Sequence, residues 1–308
     1  MMKTEPIGIV ILNYKTWEKT LACAESIYQN YSGEFQIVIV DNNSPNDSYN
    51  RLTQAFLDKP DVTVVKTERN GGFSYGNNFG FDYIVLHFPK IEHVVITNND
   101  IIFTPNSIDE LKNGFDYCDD VCITAPMIYD NDNKRSNAPW KKRQSLSQFI
   151  GLKSSSNCIF SWEELATTIP VYMVSGCCFA VSVKKFEKIG KLDDNVFLYM
   201  EEGILAYRIA AANYSIVFCP KSHIIHNHGA TTGNNNSFVD SELLKSVLYY
   251  QKVYERRSYT TLLFLYLIFL GRILIKFLLR KYTGSDPVFK NLKTCIFNFN
   301  DSTNKYLK

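Results

Sequence analysis

No CxxC pair and no paired cysteine spacing of a zinc site occur in this 308-residue chain, although it holds eight cysteines, at 23, 118, 122, 158, 177, 178, 219 and 295. A chain this long buries enough core to need no staples, so the cysteines read as reduced and mostly structural. Also absent are a GxGxxG turn and a GxxxxGK[ST] loop after any strand; the first apolar run opens instead onto "NYKTWEKT". That excludes a dinucleotide dehydrogenase and a phosphate-loop enzyme. Charge of one sign is missing too: 33 Lys and Arg against 31 Asp and Glu leave a formal +2, which gives no global pull toward nucleic acid. The N-terminal apolar run is shorter than a signal peptide's core, is broken by Asn13 and Lys15, and has no small-residue cleavage site. The expectation is a chain that stays in the cytoplasm. No internal repeat or low-complexity tract appears.

What is present is ordinary globular composition, 45% hydrophobic and 21% charged. Short β-branched runs, "IGIVIL", "QIVIV", "VTVV", "HVVIT" and "VCITA", alternate with amphipathic segments through the first 125 residues. This pattern predicts an α/β fold with one mostly parallel sheet covered by helices. Ligands of such sheets bind beyond the carboxyl ends of the strands. Four strand ends here turn polar: Asn13-Tyr14, "DNNS", "RNGGFSYGNN" and "NND". From Asp130 to Thr168 the pattern weakens into a polar, aromatic-spotted insertion of the kind that carries variable recognition. It resumes with "VYMVSGCCFAVS", "FLYMEEGILAYRIAAAN", "SIVFCP" and "HIIHNHGATTG", and turns helical and basic-apolar after Phe238.

Taken together, "VILNYKT", "IVIVDNNSPND", "ERNGGFSYGNNFG", "ITNNDIIF", "VSGCCFAVSVKKFEKIGKLDD", "FLYMEEGILAYR" and "HNHGATTG" stand in the order of a known family. From Ile7 to Gly233 the chain resembles the inverting family 2 glycosyltransferases with the GT-A fold, in their rhamnosyltransferase-like branch. The resemblance implies a Rossmann-like catalytic domain over 1–237, and the basic-apolar pattern beyond it predicts a helical, membrane-associating extension over 238–308. It also implies transfer of a hexosyl, N-acetylhexosaminyl or rhamnosyl group from a UDP- or dTDP-sugar to a hydroxyl of a lipid-linked or growing cell-surface glycan. A non-catalytic donor-binding relative is the alternative.

Residue roles follow from the same resemblance. "NND" stands where the family carries its DxD-type signature, so Asp100 would bind a Mg²⁺ or Mn²⁺ ion that bridges the donor diphosphate, and Asn98 would reach the ribose. His226 would be a further metal ligand, with His228 as competitor. Asp41 would accept from the imide of a uracil or thymine, Tyr14 would stack on the base, and Arg69, Asn77 and Asn78 would contact the donor. The family's E-D-x-D-like run reads Glu201-Glu202-Gly203-Ile204 here. Glu202 takes the base position with one extra methylene, Ile204 replaces the second acid, and Glu201 or Asp194 is next in line as base. Arg208, without its usual partner, would pair with Glu201 or face the phosphates, and Gly176 would let sugar or acceptor lie against backbone.

The run Thr261 to Tyr282 is cut by Arg272 and Lys276, which argues against a span. At 100° per residue, Arg272, Lys276 and Arg280 share one face while Leu274, Ile275, Phe277 and Leu278 fill much of the rest. With Lys252, Arg256, Arg257 and Lys281 nearby against only Glu255, the expectation is a helix lying on the cytoplasmic face of the cell membrane. A helix packed on the catalytic domain is the alternative.

Overall fold

The computed structural model describes residues 5–227 and 236–279. Its strands are β1 (Ile7–Asn13), β2 (Phe35–Asp41), β3 (Val62–Lys66), β4 (His93–Asn98), β5 (Ile101–Phe103), β6 (Val121–Tyr129), β7 (Arg135–Ser136), β8 (Ile169–Val171), β9 (Cys178–Ser182) and β10 (Ser215–His226). The helices are α1 (Trp17–Asn30), α2 (Ser48–Ala55), α3 (Gly72–His87), α4 (Ser107–Asn113), α5 (Leu146–Phe149), α6 (Val183–Lys188), α7 (Glu201–Ala211), α8 (Asn236–Val253) and α9 (Tyr259–Leu278).

One sheet runs β3-β2-β1-β4-β9-β6-β10-β5, with β7 on β6 and β8 on β10. The first four strands are parallel, as their runs predict. Antiparallel β9 then sits between β4 and β6, so the second half of the sheet is mixed. Alternation decides which face each side chain joins. Ile7, Ile9, Ile11, Ile37 and Ile39 pack under α1, α2 and α4, while Val10, Val38, Val40, Val94 and Ile96 pack under α3, α6 and α7. Burial on both faces is why these strands read as unbroken apolar runs.

The chain builds outward from β1 to β3, then crosses back through α3 to lay β4 on the other side of β1. A crevice opens beyond the strands where that order reverses, between the ends of β1 and β4. The "NND" turn lies there. Helix α3 approaches the sheet closely through Gly76 and Gly80, where an added Cβ would sit 2.4 Å from Leu12 and 2.6 Å from Val10. Gly72 has φ +87°, and a Cβ on it would come within 2.1 Å of the Phe197 carbonyl. These three glycines therefore serve close approach of the chain to itself.

Helix α8 joins the body through Val196, Ile204, Tyr249, Tyr250 and Tyr254. Helix α9 lies on α8 through Leu262, Leu265, Phe269 and Ile273. Its cations, exposed Arg272 and half-buried Lys276, are tied to the protein. Arg272 donates to the Ile150 carbonyl at 3.1 Å and Lys276 pairs with Asp240 of α8. The opposite stripe is bare and apolar: Leu263, Phe264, Leu267, Leu274, Ile275 and Leu278 are all exposed. Arg280 and Lys281 lie outside the described residues.

Candidate active site

A buried amide network sets the position of the turn after β4. Asn13, fully buried at the end of β1, donates to Asp41 Oδ2 at 2.8 Å and accepts from Thr20 Oγ1 at 2.8 Å. Asn99 donates to Thr16 Oγ1 at 2.8 Å and to Thr20 Oγ1 at 2.9 Å. The middle residue of "NND" is thus the anchor, and fully satisfied polar networks of this kind hold a unique geometry. Its neighbour Asp100 is delivered to the crevice. Asn98, half-buried, is pinned by its backbone N–H to the Cys177 carbonyl at 2.8 Å.

Around Asp100 three elements converge. His226, at the end of β10 and paired with Ile101, brings Nε2 to 3.2 Å from Asp100 Oδ1. Lys19 on α1 brings Nζ to 3.9 Å from Oδ2 and donates to the Asn227 carbonyl at 3.0 Å. Burial pushes the His226 imidazole down, but Asp100 and the neighbouring Cys177 thiol outweigh it and raise it to about 9. His228 lies outside the described residues. Lys19 was missed by sequence reasoning: a lysine six residues past a strand looks like any solvated helix residue. Only the tertiary pairing of α1 with the end of β10 reveals it.

Glu202 enters from α7 and its Oε1 accepts from the Gly176 N–H at 3.1 Å. A Cβ at position 176 would lie 2.9 Å from that oxygen, so what rests against the Gly176 backbone is the Glu202 carboxylate. Cys177, next along, touches His226 and follows into β9 beside β4. Asp100, His226, Cys177, Gly176 and Glu202 therefore form one continuous line across the rim. Glu201 points the other way: it is 6% exposed, its Oε1 is buried without a hydrogen-bond donor, and burial and then the Glu202 charge push its carboxyl up to about 8. Asp194 is exposed.

Several expected roles need correction. Asp41 is fully buried, with Oδ1 taken by the Ser44 N–H at 2.8 Å and Oδ2 by Asn13, so it is closed to a base. Asn77 is fully buried inside α3 and donates to the Phe73 carbonyl. Asn78 clamps Leu192 through both its amide groups. Asn78 thus holds α3 to the segment before α7, and Asn77 bonds within its own helix. Arg69 is exposed, 5.0 Å over the Tyr75 ring, and half-buried Tyr14 carries Lys15 Nζ 4.9 Å from its ring centroid.

Arg208 pairs with neither Glu201 nor an open phosphate site. Its Nη2 lies 3.2 Å from Asp193 Oδ2, and Nη1 donates to the Gly190 and Lys191 carbonyls. Asp193 also accepts from the Tyr249 and Tyr254 hydroxyls. Burial raises the Asp193 carboxyl, and the Arg208 charge with the Tyr254 hydroxyl more than offsets this and holds it low. Ile204, where a second acid was expected, is 1% exposed among Val196 and the tyrosines of α8. The missing acid is matched by an apolar pocket, and its arginine has another partner.

The donor set at Asp100 suits a hard divalent ion. It combines a carboxylate and an imidazole, Asp100 Oδ1 is buried without a well-aligned hydrogen-bond donor, and phosphate oxygens would complete such a sphere. Among the described residues no three His, Cys, Asp or Glu side chains cluster as metal ligands, so these residues offer two.

The profile of Glycosyl transferase family 2 matches residues 8–190. The low-salt glycan biosynthesis hexosyltransferase Agl10 of Haloferax volcanii is 27% identical over 264 residues, covering 84% of this chain and 81% of the relative. The N-acetylglucosaminyl-diphospho-decaprenol L-rhamnosyltransferase of Mycobacterium tuberculosis is 23% identical over 213 residues, covering 65% of this chain and 68% of the relative. Among solved structures, GalNAc-T7 with UDP, GalNAc and Mn²⁺ superposes with a TM-score of 0.61 at 16% identity, over 82% of this chain and 48% of that one. The chain spans about half the length of that structure, and the likeness shows the GT-A fold.

Proposed function

The chain belongs to glycosyl transferase family 2, and from that premise we propose that it moves a sugar, with inversion, from a UDP- or dTDP-sugar to a hydroxyl of a lipid-linked or cell-surface glycan. The observation that carries the reading is the line from Asp100 and His226 to Glu202 across the strand ends at the switch of strand order. One end of that line suits phosphate and the other suits a proton.

Glu202 accepts the proton of the acceptor hydroxyl as its oxygen attacks the anomeric carbon from the side opposite the leaving diphosphate. The Gly176 N–H holds the carboxylate at one place, which matters because a misplacement of about 1 Å can cost 10²-fold in rate. Glu201, protonated below about pH 8, adds no second negative charge beside the base. Asp100 and His226 would hold a Mg²⁺ or Mn²⁺ ion, which when bound neutralises charge on the departing diphosphate. As a ligand His226 must release its proton, so ion binding and proton release are linked. Lys19 adds a fixed cation on the phosphate side. Asn98, Tyr14 and Arg69 are the remaining donor contacts in this reading.

Residues 1–237 act as the catalytic unit and 238–308 as the extension that brings it to a membrane surface. The bare stripe of α9 supports that role, as does the decaprenol-linked substrate in the rhamnosyltransferase's name. The reading is tested by thermal shift against a panel of UDP- and dTDP-sugars with and without Mn²⁺. Mn²⁺-dependent stabilisation by one donor is expected, absent in Asp100→Ala. Equal donor affinity with and without Mn²⁺ in both proteins contradicts it.

A further inference from the structure

Beside Glu202 the fold encloses a cavity of about 140 Å³ that belongs to none of the donor-side residues. Its walls come from four separated parts of the chain: the insertion from Trp140 to Phe149, Tyr172 and Met173 after β8, the start of α7, and the end of α8 with the turn after it. Glu202 lines it, so a hydroxyl held in the cavity is within the base's domain. The other charged side chains around it are Lys142, Arg143, Glu255 and Arg257.

These four are organised rather than scattered. Glu255, its side chain 8% exposed, has Oε1 3.0 Å from Arg143 Nη1 and Oε2 3.5 Å from Arg257 Nη2, and Oε1 also accepts from the Tyr250 hydroxyl at 2.8 Å. The two guanidinium-bearing side chains above it are 49% and 41% exposed. A buried carboxylate thus uses both oxygens to aim two half-exposed guanidinium groups that arrive from distant parts of the sequence. Planar, oriented guanidinium groups are the usual means of binding phosphate oxygens. Lys142 is exposed, so three cations against one carboxylate leave +2 at this wall, the complement of a diphosphate diester.

Leu146 and Phe149 form the apolar end of the cavity. They pack in the same cluster as Leu262, Leu265 and Phe269 of α9, whose opposite stripe is the bare apolar one. The lining of the cavity therefore combines the base, the cations and apolar side chains continuous with α9.

Resting on the glycosyltransferase reading, we propose that Lys142, Arg143 and Arg257 bind the phosphate or diphosphate of a prenyl-linked acceptor, with its sugar toward Glu202 and its hydrocarbon toward α9. A neutral polysaccharide or a protein acceptor has no use for this wall.

Trp140 lines the cavity and reports on it directly. The protein is titrated with farnesyl diphosphate in Mg²⁺, with UDP saturating so that the nucleotide site is blocked. A saturable change in tryptophan emission is expected, absent in Trp140→Phe. Farnesol should bind at least tenfold more weakly, and Lys142→Gln/Arg257→Gln should weaken farnesyl diphosphate at least tenfold while leaving UDP affinity as it was; both side chains are exposed, so the fold should persist. Three results overturn the proposal: farnesol binding as tightly as its diphosphate, the double variant titrating like the parent, or phosphatidylglycerol vesicles giving the same saturable change, which would assign the cations to a leaflet. UDP-sugar hydrolysis by the same preparations reports separately on transfer, so loss of the transfer reading is distinguishable from loss of this one.

Discussion

Glu201 and Glu202 are adjacent on the first turn of α7, yet one faces the core and the other the cavity. The buried carboxyl keeps its proton up to about pH 8, whereas in the unfolded chain it releases it near 4.5. Between those values the folded state holds more protons than the unfolded one, so this residue makes stability fall as pH rises. Glu201→Gln removes that slope. The variant should gain on the parent by several °C in Tm between pH 5 and pH 8, a shift on the scale that about 1–2 kcal/mol gives a chain of this size. A gap that stays constant across that range contradicts the account. At this scale the places of some residues were legible: Asp100 follows β4, His226 ends β10 and Glu202 opens α7. Asp41, Asn77 and Asn78 were not, because short polar side chains at strand and helix ends satisfy backbone as readily as they meet a ligand, and only burial distinguishes the two.

At the scale of elements, α7 and α8 are held together around Asp193. Its carboxylate meets Arg208 of α7 and the Tyr249 and Tyr254 hydroxyls, both close to the C-terminal end of α8. Asp193→Asn leaves the buried guanidinium without its counter-charge, a change that costs about 3–5 kcal/mol for a buried pair. A lower midpoint in urea, with an unchanged slope, is the expected result; a midpoint within error of the parent would show that the pair is dispensable. The long strands and major helices were readable from periodicity, since buried parallel strands give continuous β-branched runs, whereas the short β5, β7 and β8 were not. The mixed second half of the sheet was not, because antiparallel β9 is as apolar as its parallel neighbours. The dependence of α7 on α8 was hidden as well: Asp193 and Arg208 are 15 positions apart in sequence, and Ile204 looked like a loss until its tyrosine neighbours were in place.

For the whole molecule, the decisive feature is that Arg272 and Lys276 of α9 are tied to Ile150 and Asp240, while its outer stripe carries no charge. Exposed contiguous apolar surface of this kind marks an interaction site. Flotation should show binding to neutral vesicles that survives high salt. Anionic lipid should strengthen it through Lys252 and Arg256, at about 1 kcal/mol per basic group. Leu267→Glu/Leu274→Glu should weaken it at least about tenfold, since a charge in the hydrocarbon costs about 2–3 kcal/mol. A parent protein that stays soluble with both vesicle types refutes membrane docking and favours a soluble acceptor. The sequence pattern located the cations on one face of this helix but not which way that face turns, since periodicity defines a stripe and only packing orients it. The central claim, inverting transfer with Glu202 as base, is tested most directly by proton NMR of the sugar first released when water replaces the acceptor, using whichever UDP- or dTDP-sugar the panel selects with Mn²⁺. The nascent sugar should carry the anomeric configuration opposite to the donor's before mutarotation, and its formation should fall at least about 10²-fold in Glu202→Gln with donor binding kept. Release of the same anomer as the donor, or an undiminished rate in Glu202→Gln, would contradict it.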